Sequence, residues 1–185
     1  MKLIGKLRTK SSDKIEKSRI GIGFECYDRD LYSPEKCYDL AAATGAKHIR
    51  VQTGWARTEK EKGVYDFAWL DRAVALAAKY DLKVIMCTST ATPPVWMSRK
   101  YPEILLKNED GTVLDHGARQ HASFASPLYR ELSYKMIEKL AQHYGNDPRI
   151  IGWQLDNEPA VQFDYNPKAE LAFRDFLRAK YNNDI

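Results

Sequence analysis

Cysteine is scarce in this chain. Cys26, Cys37 and Cys87 are the only three in 185 residues, an odd number at unrelated spacings. That pattern argues against a disulfide framework and a cysteine-held metal cluster, and it favours a reducing, cytoplasmic compartment. Long apolar runs are missing as well. None reaches the roughly 20 residues of a membrane span, and the first residues carry no signal-type hydrophobic stretch, so no membrane partner is expected. Phosphate-binding signatures are also lacking. Gly21-Ile-Gly23 has no third glycine to complete a dinucleotide fingerprint, and no Gly-Lys-Ser/Thr loop occurs. An open nucleotide-binding domain is therefore disfavoured, and no cofactor is expected. Excess charge is small, at net +4. Much of it sits in Lys2, Lys6, Arg8, Lys10, Lys14, Lys17 and Arg19, without the interleaved aromatics that nucleic acid would need. Residues 1–18 thus read as a flexible, solvated basic leader, with no nucleic-acid partner.

What is present suits one soluble domain. A hydrophobic share of 44% over this length is enough to build a sizeable core. From Arg19 onward one plan repeats four times. A short strand over 20–25 leads to Ser33-Pro34 as N-cap and first helical residue, with Gly45 closing the helix. A second strand over 48–55 is followed by a helix with Leu70, Ala73, Val74 and Ala77 at helical spacing. The third strand, over 82–89, gives way to a long irregular segment through residue 125. Ser126-Pro127 opens the third helix, whose stripe is Leu132, Met136, Ile137 and Leu140. After the fourth strand, Asn166-Pro167 opens a last helix bearing Leu171, Phe173, Phe176 and Leu177. Strands alternating with helices predict a parallel sheet with right-handed crossovers. Elaborate loops after strands two, three and four place the functional face at the strand C-termini.

The fourth strand, Arg149-Ile-Ile-Gly-Trp-Gln-Leu-Asp-Asn-Glu-Pro159, organises the rest. Alternation sets Gly152, Gln154, Asp156 and Glu158 on one side, and Ile151, Trp153 and Leu155 on the other, where packing under helices is expected. Pro159 cannot donate to a ladder and ends the strand. Glu158 is then a carboxylate at the rim of a parallel sheet; alone, such a residue is as readily a solvated loop acid.

Two regions resemble clan A glycoside hydrolases. Thr90-Ala-Thr-Pro-Pro-Val-Trp96, Lys100-Tyr-Pro-Glu-Ile104, Gly117-Ala-Arg-Gln-His121, Ser126-Pro-Leu-Tyr-Arg130 and Ile151-Gly-Trp-Gln-Leu-Asp-Asn-Glu158 resemble the family 42 β-galactosidases. Gly23-Phe-Glu-Cys-Tyr-Asp-Arg29 and Gln52-Thr-Gly-Trp-Ala-Arg57 through Asp71 are more similar to family 39 β-xylosidases. The resemblance implies a (β/α)8 (TIM) barrel, of which residues 19–185 would form half. It implies a carbohydrate substrate, Glu158 as acid/base catalyst, and Asn157 as the amide that binds the sugar 2-hydroxyl. Arg119 would be an active-site arginine. Arg50 would lie near the nucleophile, although a structural ion pair explains it equally well. Trp55 and Trp96 are candidate sugar platforms, while Trp153 by parity belongs to the core. His116 and His121 read as loop histidines rather than metal ligands. Family 42 enzymes often hold a cysteine metal cluster near this face; Ser123 occupies a matching position, and no metal is expected.

Retaining chemistry needs a second carboxylate about 5–5.5 Å from the first. In clan A it comes from strand seven, which four units do not include. The chain alone is therefore expected to be inactive, with its half-barrel completed by a second copy or a complementary partner. The rival reading is a non-catalytic scaffold that self-associates, or a β-xylosidase-type fragment.

Overall fold

The computed structural model describes residues 10–24, 33–88, 90–118, 120–158 and 163–184. Its centre is a four-stranded parallel sheet in the order β1 (Ile22–Phe24), β2 (His48–Gln52), β3 (Lys83–Cys87), β4 (Ile150–Gln154). Between them run α1 (Pro34–Ala43), α2 (Trp55–Thr58), α3 (Ala68–Lys79), α4 (Val95–Lys100) and α5 (Pro127–Tyr144), with α6 (Pro167–Lys180) after β4. Strand neighbours follow chain order, as is usual for successive strand–helix–strand units.

The chain divides into two compact units. The first comprises Met1–Gln52, Ala68–Met86 and Pro148–Gly152. Its core uses one face of β2 and β3: Ile49, Val51, Val84 and Met86 are all fully buried. The stripe Leu70, Ala73, Val74 and Ala77 of α3 is buried as well, as its spacing predicts. Tyr38 of α1 is buried too, with Phe24 edge-on at 4.8 Å and Tyr80 stacked at 6.5 Å. The other face of β2 is polar. There Arg50 pairs in register with Gly23, and any Cβ at Gly23 would meet the Arg50 guanidinium at 3.4 Å. At Gly21 a Cβ would strike the His48 ring at 2.2 Å. Gly23 of β1 and Gly21 just before it make room for side chains of β2.

The second unit comprises Thr53–Phe67, Cys87–Asp147 and Trp153–Ile185. Helix α5 is its longest element. Ser126 caps it by accepting from the Tyr129 N–H, Pro127 is its first residue, and Leu132, Met136 and Leu140 are buried.

Several expectations need correction. β2 ends at Gln52, not at Trp55, because Gly54 turns left-handed (φ 50°) and opens α2. The segment after β3 is not irregular throughout. It holds α4, a 3-10 turn over Pro102–Ile104 and short antiparallel bridges Leu105–Ala122 and Lys107–Val113. A six-residue helix is too brief for periodicity to announce. The outer face of β4 is not packed: Ile151, Trp153 and Leu155 are 54, 37 and 75% exposed. β4 is the last strand in the order, and α6 buries none of its own residues. Trp153 is accordingly not a core residue.

Candidate active site

β4 stops at Gln154, and the backbone then passes through two left-handed residues, Asp156 (φ 56°) and Glu158 (φ 42°), with Asn157 between them. Neither is glycine. Such conformations cost about 1–3 kcal/mol each and persist only where their surroundings hold them. Here the hold is explicit. The Asp156 N–H donates to Thr88 Oγ1 at 2.8 Å, and the Thr88 N–H donates to the Gln154 carbonyl at 3.0 Å. Cys87 Sγ donates to the Asp156 carbonyl at 3.4 Å. Gln154 Nε2 donates to that same carbonyl at 3.0 Å and to Asn157 Oδ1 at 3.3 Å. Gln120 Nε2 donates to the carbonyls of Asn157 (2.9 Å) and Glu158 (3.2 Å). Every carbonyl from 156 to 158 is therefore held by a side chain.

The Glu158 side chain is exposed, and Asn157 is half-buried. Asp156 keeps Oδ1 buried without a hydrogen-bond partner among the described residues. Burial above all, with the Asp156 carboxylate second, pushes the Tyr129 phenol well above its ordinary range, and its hydroxyl donates to the Thr90 carbonyl at 2.7 Å. His121 is buried. A carbonyl only accepts, so Nδ1 carries the proton donated to Ala118 O (2.9 Å), and Nε2 accepts from Ser98 Oγ (3.1 Å). Burial pushes this imidazole below its ordinary pKa of 6.5, and the neighbouring His116 ring works the same way.

The tryptophans divide. Trp55 is fully buried and donates its Nε1–H to Glu59 Oε2 at 2.6 Å, leaving no face for a sugar. Its expected role as a platform is withdrawn; it is core. Trp96 is half-buried and donates to the Glu59 carbonyl at 2.8 Å. Glu59, itself buried, also accepts the Gly63 N–H at 2.8 Å. Arg50 is half-buried on the polar face of β2, and Arg119 lies outside the described residues. Sequence reasoning set Gln154 on the correct face of β4 without giving it a task, and it passed over Gln120 and Glu59. For Gln120 the available signal was its position directly after Arg119. Among the described residues, no group of three or more histidine, cysteine or acidic side chains is placed to hold a metal ion.

The family model described as beta-galactosidase, glycoside hydrolase 42, matches residues 32–185. The chain belongs to glycoside hydrolase family 42. This match runs through residues 52–71, the stretch expected from its residues to be more similar to family 39. Among curated relatives, a beta-galactosidase of Thermus thermophilus is 40% identical over 163 residues, covering 84% of this chain and 25% of the relative. Beta-galactosidase BgaH of Haloferax lucentense is 38% identical over 137 residues, covering 72% of this chain and 21% of the relative. In solved structures, the beta-galactosidase of the psychrophilic Marinomonas ef1 aligns with a TM-score of 0.80 at 32% identity, covering 88% of this chain and 25% of that one. That of Halorubrum lacusprofundi gives 0.78 at 32%, with 88% and 25% covered. The family 42 chain thus spans about a quarter of the length of these relatives, and its four strands correspond to the N-terminal part of their barrels. No described helix is long and apolar enough to cross a membrane.

Proposed function

We propose that this chain supplies the acid/base side of a retaining β-galactosidase active site. Glu158 protonates the glycosidic oxygen as the bond breaks, then takes a proton from the water that releases the sugar. Asn157 binds the sugar 2-hydroxyl, an interaction that strengthens as the ring gains oxocarbenium character. Trp96 offers a partly open ring to the sugar, and Arg119 serves as a positive group of the site. An arginine beside a carboxylate nucleophile keeps it ionised. The observation that carries this reading is the held turn at the carboxyl end of β4, which presents Asn157 and Glu158 side by side where such folds keep their chemistry.

The nucleophile comes from polypeptide beyond these four units, so the chain by itself turns over little or no substrate. The test uses the purified chain. Chromogenic β-galactoside and β-xyloside should both resist hydrolysis, whereas methyl β-galactoside should shift the amide signals of residues 157 and 158 in proton–nitrogen spectra. Robust hydrolysis abolished by Glu158→Gln would refute the need for a further carboxylate. A galactoside that leaves the 157–158 signals unmoved would sink the site assignment. A larger response to the xyloside would favour the β-xylosidase reading, against which stands the family match over residues 32–185.

A further inference from the structure

We infer that Gln154 and Gln120 are positioning residues, with Gln154 deciding which end of the Asn157 amide meets the sugar. This rests on the reading of Asn157 and Glu158 just given.

The Asp156 carbonyl can only accept, so the Gln154 atom 3.0 Å from it is the amide nitrogen. That same nitrogen lies 3.3 Å from an Asn157 side-chain atom, which must then be the oxygen, since two amide nitrogens would oppose donor to donor. With Oδ1 engaged, Asn157 turns its Nδ2–H2 group away from Gln154, so it meets a hydroxyl as a donor to the hydroxyl oxygen. A 2-hydroxyl bound this way keeps its own proton free for a neighbouring carboxylate. Gln120 acts on the backbone instead. Its single Nε2 spans the carbonyls of Asn157 and Glu158 and so fixes the left-handed Glu158, from which the carboxylate projects. Three observations separate this pair from ordinary loop packing. The two amides hold three successive carbonyls, they bracket the two left-handed residues, and Gln154 also grips the side chain proposed to touch substrate.

The pairing predicts a substrate-dependent signature. Gln154→Glu keeps size and shape but replaces the donor with an acceptor, so Asn157 is driven to flip. Binding of methyl β-galactoside and of its 2-deoxy counterpart to the chain is followed by proton–nitrogen titration. The unaltered chain should prefer the 2-hydroxy sugar by roughly tenfold, the scale of one neutral hydrogen bond. Gln154→Glu should remove most of that preference while leaving 2-deoxy binding within about twofold. Gln154→Asn, a shorter donor, should restore part of it. Gln120→Leu should weaken both sugars alike. If Asn157→Ala erases the preference and Gln154→Glu does not, the positioning role is overturned while the site assignment stands. If Asn157→Ala also leaves the preference untouched, the site assignment fails and the inference falls with it. Should Gln154→Glu disturb the fold, Gln154→Met, apolar and of similar length, must produce the same selective loss; an equal loss for both sugars would mark a merely structural residue.

Discussion

Glu59 is a buried carboxylate on no strand or helix, yet it accepts from the Trp55 indole and the Gly63 amide through its side chain and from Trp96 through its carbonyl. Burial, with the Glu59 charge next, pushes the nearby Tyr65 phenol up to about 12. Glu59→Ala would strand the buried Trp55 indole donor, at about 1–3 kcal/mol. A fall in the urea midpoint with an unchanged slope is the expected result. His121 carries a pH prediction. Its folded pKa lies below the ordinary 6.5 because burial disfavours the imidazolium, so the unfolded chain binds the extra proton first. Stability is thus fully present above pH 6.5 and is lost as the pH falls from there through the folded value. Unfolding measured from pH 7.5 to 5 should show this slope, and His121→Asn, which keeps a donor for Ala118 O, should flatten it.

Helix α3 is the element whose sequence and structure agree most closely. Its four-residue stripe is apolar at helical spacing, and all four side chains are buried. Leu70→Ala should cost about 2–5 kcal/mol by leaving a cavity, read as a drop in thermal midpoint. At the start of α6, Asn166 accepts the Lys168 N–H as N-cap while its Nδ2 donates to the Leu105 carbonyl at 2.7 Å. Asp164 Oδ1 accepts the Asn166 N–H at 2.9 Å. Asn166→Ala removes both the cap and the tie, and a loss at the upper end of the usual 0.5–2 kcal/mol range for a cap is expected. The Asn166-Pro167 pair announced that cap in the sequence; the tie to Leu105, 61 residues away, had no local signature. The same division holds elsewhere. Alternation identified the polar face of β4 because a period of two is a local property. The exposure of Ile151 and Leu155 was illegible, because burial depends on what lies beyond the strand. The left-handed turn at Asp156 and Glu158 was hidden for a related reason: neither residue type demands positive φ, and side chains from Thr88 and Gln120 impose it.

At the scale of the whole molecule, the described residues leave several large apolar side chains exposed. Ile151 of β4, Leu155 just after it, and Leu171, Phe173 and Phe176 on α6 are each more than half exposed. Exposed apolar area favours association. The hypothesis of two copies completing one another predicts a concentration-dependent mass in light scattering, reduced by Phe173→Glu with Phe176→Glu. A monodisperse monomer at all concentrations would eliminate it. A consequence also follows from the way one acid secures two indoles. Both rings are shielded from water to different degrees and answer to the same residue. Displacing Glu59 should therefore redden the intrinsic emission of Trp55 and Trp96 together, which makes that loop's integrity visible by fluorescence alone.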